Sequence, residues 1–112
     1  MRLLNPEYER EDHRGKLTQL ITGSWKQANL IEIKKGKKFG GHYHKKKKEY
    51  FYILYGHVMM SVKIDGVEQT VFLRRGHSFI IEPYETHTLE ATEDTSIVEL
   101  LSKPYDEKDV YE

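Results

Sequence analysis

The chain has 112 residues, 18 basic and 18 acidic side chains, and no cysteine. That length suits one domain with a real core. Zero net charge gives nucleic acid and membrane surfaces no electrostatic hold, and the missing thiols exclude disulfides, zinc–thiolate sites and cysteine nucleophiles. No apolar run is long enough to span a bilayer and no signal-peptide pattern is present, so a soluble, cytoplasmic protein is expected.

In chain order, the first dozen residues are charged and irregular. Strands are predicted at Leu17 to Ile21, Ala28 to Ile33, Tyr50 to Leu54, Val58 to Ile64, Val71 to Leu73, Phe79 to Ile81, Thr86 to Ala91 and Ser96 to Leu101, all rich in β-branched or aromatic side chains. Gly36, Gly40-Gly41, Gly56, Asp65-Gly66 and Gly76 punctuate them. Asp65-Gly66 is a two-residue hairpin signal, because both central positions of that turn need positive φ. The tail from Lys103 is polar and acidic, and is either a strap or a frayed end. No segment has a helical period, so the expected fold is all-β, a compact barrel or sandwich.

One stretch carries chemistry. His42 and His44 are separated by one residue, so on a strand they share a face. Glu49 follows a short polar turn, and a hairpin would return its carboxylate beside the two imidazoles. Two imidazoles and a carboxylate are common donors to a divalent first-row metal, with positions left open for substrate. His87 falls where a fourth ligand would be needed.

Gly36, five residues, His42-Tyr43-His44, four residues, Glu49, six residues and Gly56 resemble the first motif of the cupin superfamily at full spacing. Gly76, Pro83 and His87 resemble its second motif. There Pro83 sits one place late, Tyr84 replaces a glycine and Ala91 replaces an asparagine. The resemblance covers Leu17 to Leu101 of a single cupin domain spanning 1–112. It implies a small antiparallel β-barrel of jelly-roll type, with His42, His44, Glu49 and His87 holding a divalent ion of the Mn, Fe, Ni or Zn kind. Asp12-His13-Arg14-Gly15 is similar to the opening of sugar-nucleotide cupins. Gly41 to Lys46 and Tyr105 to Asp109 are similar to the nucleotide-sugar ketoisomerases. Those isomerases carry an arginine before the histidine pair and lack the metal glutamate; this chain has Gly40 near that place and keeps Glu49.

Other residues divide between structural and functional roles. His13, His57 and His77 read as ordinary surface or core histidines. Lys34, Lys35, Lys37, Lys38 and Lys45 to Lys48 read first as a solvated surface, and second as a rim drawing an anionic small-molecule substrate to the mouth. Alternation puts Phe51, Ile53, Leu89 and Ala91 on the pocket wall, Tyr43 outside it, and Gln19, Gln27, Asn29 and Glu32 nearby. With four ligands occupied, a general base is sought among Glu32, Tyr84 and Glu85. Two function classes follow: a metal-dependent enzyme, of isomerase, epimerase or dioxygenase type, or a non-catalytic module capturing a small ligand. Open sheet edges predict a homodimer, with the segment before Leu17 and the tail after Lys103 as covers.

Overall fold

A computed structural model describes residues 1–112. Its strands are β1 (Arg2–Leu4), β2 (Tyr8–Asp12), β3 (Gly15–Gln19), β4 (Gln27–Ile33), β5 (Lys38–His42), β6 (Glu49–Tyr55), β7 (His57–Ile64), β8 (Val67–Arg74), β9 (Ser78–Ile81), β10 (Thr86–Ala91) and β11 (Thr95–Leu101), followed by a 3-10 turn at Glu107–Asp109. A five-stranded antiparallel sheet runs β1-β9-β6-β11-β4 and a four-stranded one runs β5-β10-β7-β8. The hairpin β2-β3 pairs only with itself. No ladder joins the two large sheets, so the all-β expectation is met by two layers and not by one continuous closed barrel. No helix is long and apolar enough to cross a membrane.

The core lies between the layers and follows from period-two alternation. Phe51 and Ile53 of β6, Phe79 and Ile81 of β9 and Ile97 of β11 face Val58, Met60 and Val62 of β7, Leu73 of β8 and Leu89 and Ala91 of β10. Phe51 and Phe79 are opposite each other in the β6–β9 ladder and stack at 5.0 Å. The intervening residues Tyr50 and Ile80 are buried on the sheet's other face, where Trp25 covers Tyr50.

The Asp65-Gly66 turn joins β7 to β8, with φ of 51° and 80°, as its sequence requires. Two expectations fail. The amino terminus contains two strands: β1 covers the edge of β9, and β2 pairs with β3. β5 escaped the reading because Lys38-Phe39-Gly40-Gly41-His42 has no β-branched residue; its pairing with β10 is a tertiary effect that overrides propensity. The tail is a strap, with Tyr111 and Tyr43 exchanging backbone hydrogen bonds of 2.9 and 3.0 Å.

Candidate metal centre

His42, His44, Glu49 and His87 converge, each offering one ligand atom within 4.8 Å of the others. Glu49 opens β6 of the five-stranded sheet, while His42 and His87 are paired partners on β5 and β10 of the four-stranded sheet. The cluster therefore bridges the two layers.

A bulge aims the histidines. On β5, His42 pairs with His87 but Gly40 pairs with Thr88, so Gly41 is an extra residue. One extra residue reverses which face the following side chains take. Phe39, upstream, and His42, downstream, consequently line the same cavity despite their odd separation.

The second nitrogens of two rings are fixed by backbone. His44 Nδ1 lies 2.6 Å from the Asp109 carbonyl and His87 Nδ1 lies 3.0 Å from the Glu85 carbonyl. A carbonyl only accepts, so the network assigns the proton to each Nδ1 and a lone pair to each Nε2. Both Nε2 atoms then face Glu49 Oε1, at 2.7 and 3.6 Å. That buried oxygen has no hydrogen-bond partner of good geometry. Acceptors facing acceptors need a cation between them. A divalent ion satisfies all three at once, and the donor set fits one; the alternative is an added proton on His44.

The electrostatics reflect the same crowding. Burial, then the fields of His87 and His44, push His42 down to about 4. Burial likewise depresses His87. For His44, burial opposes the charge, but the adjacent Glu49 carboxylate and the Asp109 carbonyl outweigh it and raise its pKa. Burial also works to raise Glu49, yet contacts with His44 and Glu99 and the field of His87 hold it at about 2.

The carboxyl-terminal strap positions His44. Asp109 is buried at 3% exposure. Its carboxylate accepts from the backbone amides of Lys45 and Lys46 at 2.9 and 3.2 Å, while its carbonyl holds the His44 ring.

Two cavities meet at the cluster and share His42, Glu49 and Glu99. The first, about 180 Å³, is walled by Ile31, Phe39, Phe51 and Leu89. The second, about 290 Å³, is lined by Asn29, Lys47, Tyr105 and Val110. Phe51 and Leu89 thus stand on the wall as alternation predicted, whereas Ile53 and Ala91 lie deeper in the core.

None of the three residues sought as a base lines either cavity. Glu32 is exposed, alternating with the inward Ile31 and Ile33. Tyr84 is 63% exposed and stacks on Tyr43 outside the mouth. Glu85 is buried, but its carboxylate is engaged by the Glu82 amide at 2.6 Å and by the Met1 amino group. Gln19 is likewise remote, bonded to Glu7 beside the hairpin.

Glu99 lines both cavities instead. It accepts from Asn29 Nδ2 at 2.8 Å, and Asn29 in turn accepts from Gln27. Burial and the neighbouring Glu49 raise its pKa to about 7. The signal was available: Glu99 lies between Ile97 and Leu101, both inward on β11, and is the acid at an otherwise apolar face.

A family model described as Cupin domain matches residues 29–102. No curated protein matches the sequence. Among solved structures, a sugar 3,4-ketoisomerase from Thermoanaerobacterium thermosaccharolyticum, a double mutant in complex with TDP, is 29% identical with a TM-score of 0.83, covering 96% of this chain and 83% of that one. A TDP-quinovose 3,4-ketoisomerase from Campylobacter jejuni is 18% identical with a TM-score of 0.87, over 98% and 90% of the two chains. A 3'-monoepimerase from Streptomyces bikiniensis, in complex with dTDP-quinovose, is 19% identical with a TM-score of 0.81, over 96% and 66%. The last two likenesses show the fold alone.

Proposed function

The chain belongs to the cupin domain family, and on that premise we propose that it is a metal-dependent isomerase or epimerase acting on a small carbonyl-bearing carbohydrate. The observation that carries this reading is the unpartnered Glu49 Oε1 facing two imidazole nitrogens where two cavities meet. The two-layer core is read as the jelly-roll form of the family. Support for the substrate class comes from the Thermoanaerobacterium ketoisomerase, a mutant of which is described in complex with TDP-4-keto-6-deoxyglucose.

His42, His44, Glu49 and His87 would hold the ion, whose chemistry when bound is to polarise a carbonyl oxygen as a Lewis acid. The chain supplies the rest. Moving a carbonyl along a sugar, or inverting the carbon beside it, requires a group that takes a proton from carbon and returns it. Glu99 is the free carboxyl at the junction of both cavities, and Asn29 fixes its rotamer. Ile31, Phe39, Phe51 and Leu89 exclude water from one side.

The test is to incubate TDP-4-keto-6-deoxyglucose with metal-loaded, chelator-treated and reloaded protein and follow the keto position by NMR. Turnover is expected in the first and third samples. Glu99→Gln should keep the metal and lower kcat by about 10²- to 10⁴-fold. Turnover that survives chelation would remove the metal from the reaction. Tight binding without turnover across a keto-sugar panel would favour a ligand-capturing module.

Proton competition gives a further expectation. Each imidazole must shed its proton to bind a metal. The His44 value is raised, while His42 is protonated only near pH 4 and Glu49 near 2. Affinity should be level at high pH and fall by roughly tenfold per pH unit once pH drops through the His44 value. It should steepen again at lower pH, where His87, also depressed by burial, and then His42, at about 4, compete. Competition titrations across this range check the shape, and a single fall confined to the region near pH 4 would contradict it.

The reading also includes a homodimer. The hairpin β2-β3 is exposed along almost its whole length, including Tyr8 at 51% and Leu17 at 48%. Both its edges and the outer edges of β4, β5 and β8 are unpaired. Unpaired edges seek a strand, and a second copy would supply it. Light scattering at micromolar concentration should give twice the chain mass; a monomer would overturn this part.

A further inference from the structure

Of the lysines around the first motif, Lys47 differs from the rest. It is 4% exposed, whereas Lys45, Lys46 and Lys48 are exposed. The reason is local. Residues 47, 49, 51 and 53 alternate inward as the chain enters β6, so Lys47 follows Glu49 into the second cavity. Lys48 takes the opposite face, where its ammonium lies 5.5 Å from the Trp25 ring.

The side chain is buried along its stem and its ammonium opens into that cavity, where it can take a counter-charge. Lys47 has none in direct contact: no carboxylate oxygen of the chain comes within 4.0 Å of its Nζ. The Tyr105 ring is 5.1 Å away. The cavity it lines, about 290 Å³, continues past Asn29 and Glu99 to the metal cluster. The opposite lobe, about 180 Å³, is walled by apolar side chains. A ligand filling both is therefore charged at one end and apolar at the other.

We propose that Lys47 is the anion-binding residue of this site, holding a phosphate or carboxylate oxygen of the substrate in the polar lobe while the uncharged carbons occupy the apolar one. The exposed lysines are then solvated surface. The inference deepens the isomerase reading and rests on it for the word substrate, but the binding step can be tested without turnover.

Inorganic phosphate serves as the probe, titrated by calorimetry into the full chain, both metal-loaded and chelator-treated. The chelator-treated protein separates phosphate on the lysine from phosphate on the ion. Wild type should bind in both states. Lys47→Met should weaken binding by roughly tenfold or more, and Lys47→Arg should retain it. The triple variant Lys45→Gln/Lys46→Gln/Lys48→Gln should change it by less than about twofold at physiological salt. In wild type, phosphate-induced NMR shifts should centre on Lys47, Asn29 and Tyr105, a readout that needs no variant to fold. Absence of phosphate binding by wild type, equal binding by Lys47→Met, or equal loss in the triple variant would overturn the proposal. Lys47-dependent binding in a protein that takes up no metal would leave the anion site standing and remove the metal-dependent reading instead.

Discussion

Glu49→Gln is expected to leave the chain folded and to strip it of its metal. The substitution is nearly isosteric, and Glu49 sits at 2% exposure with Ile81 and Leu101 as its ladder partners, so packing barely changes. The charge does change. An amide lacks the anionic oxygen that Oε1 directs at His44 and His87, and its N–H can donate to one of those nitrogens. The variant would thereby satisfy with a hydrogen bond what a bound cation would satisfy in the wild type. Metal analysis should fall from about one ion per chain to below about one tenth. Because the four residues belong to both sheets, a bound ion would tie the layers together. At a hundredfold excess over Kd it adds about 2.7 kcal/mol, or roughly 10 °C in Tm. Chelation should remove that increment from wild type and leave the variant unchanged. Stoichiometric metal in Glu49→Gln would sink the assignment of Glu49 as a ligand. A wild-type melt unmoved by chelation, with the ion shown to be present beforehand, would sink the cross-link.

The convergence of His42, His44, Glu49 and His87 was legible because it depends on short-range pattern. His42 and His44 sit one residue apart, and Glu49 and His87 fall at motif spacing, so residue types and intervals indicated the four, although β5 ends at His42 and Glu49 arrives on a strand of the other sheet and not by the expected hairpin. The wall residues Phe51 and Leu89 followed from period two. What stayed hidden depends on distant chain. Glu32 and Glu99 are both acids in apolar strands; alternation set Glu99 on the face of Ile97 and Leu101, but nothing local says which face of β11 lies against the site. The register Glu99↔Phe51 and Glu99↔Asn29 decides it, since it sets Glu99 beside Glu49 and Asn29. Glu85 precedes His87 in the turn and looked like a base, but its carboxylate is held by Met1, 84 positions away. The role of Asp109 was equally remote: the acidic tail was legible as a possible strap, while its hold on His44 across 65 positions was not. Lys47 was hidden for the opposite reason. Alternation from Glu49 already placed it inward, but four consecutive lysines read as one solvated run.

Gly40→Ala is expected to destabilise the chain by about 2–6 kcal/mol and to weaken metal binding, whereas Gly41→Ala next to it is expected to do less. Both glycines have left-handed backbone, with φ of 104° and 82°, and a side chain there is strained by about 1–3 kcal/mol. Their surroundings differ. A Cβ on Gly40 would stand 2.4 Å from the His87 carbonyl oxygen and 3.2 Å from the Thr88 Cα, both backbone atoms of the facing strand. A Cβ on Gly41 would meet only the Thr88 hydroxyl, at 4.0 Å. Gly40 therefore carries an overpacking cost of about 1–3 kcal/mol in addition to strain. Relief of that clash requires β5 to move away from β10, which separates His42 from His87. Melting curves and metal titrations of the two variants distinguish the effects: Gly41→Ala should bind within a few-fold of wild type, and Gly40→Ala at least about tenfold more weakly. If the two variants melt and bind alike, the close approach of β5 to His87 is not what builds this site. The bulge would then matter only for its dihedral angles, and the aim of His42 would have to come from the Tyr43–Tyr111 bridge that follows it.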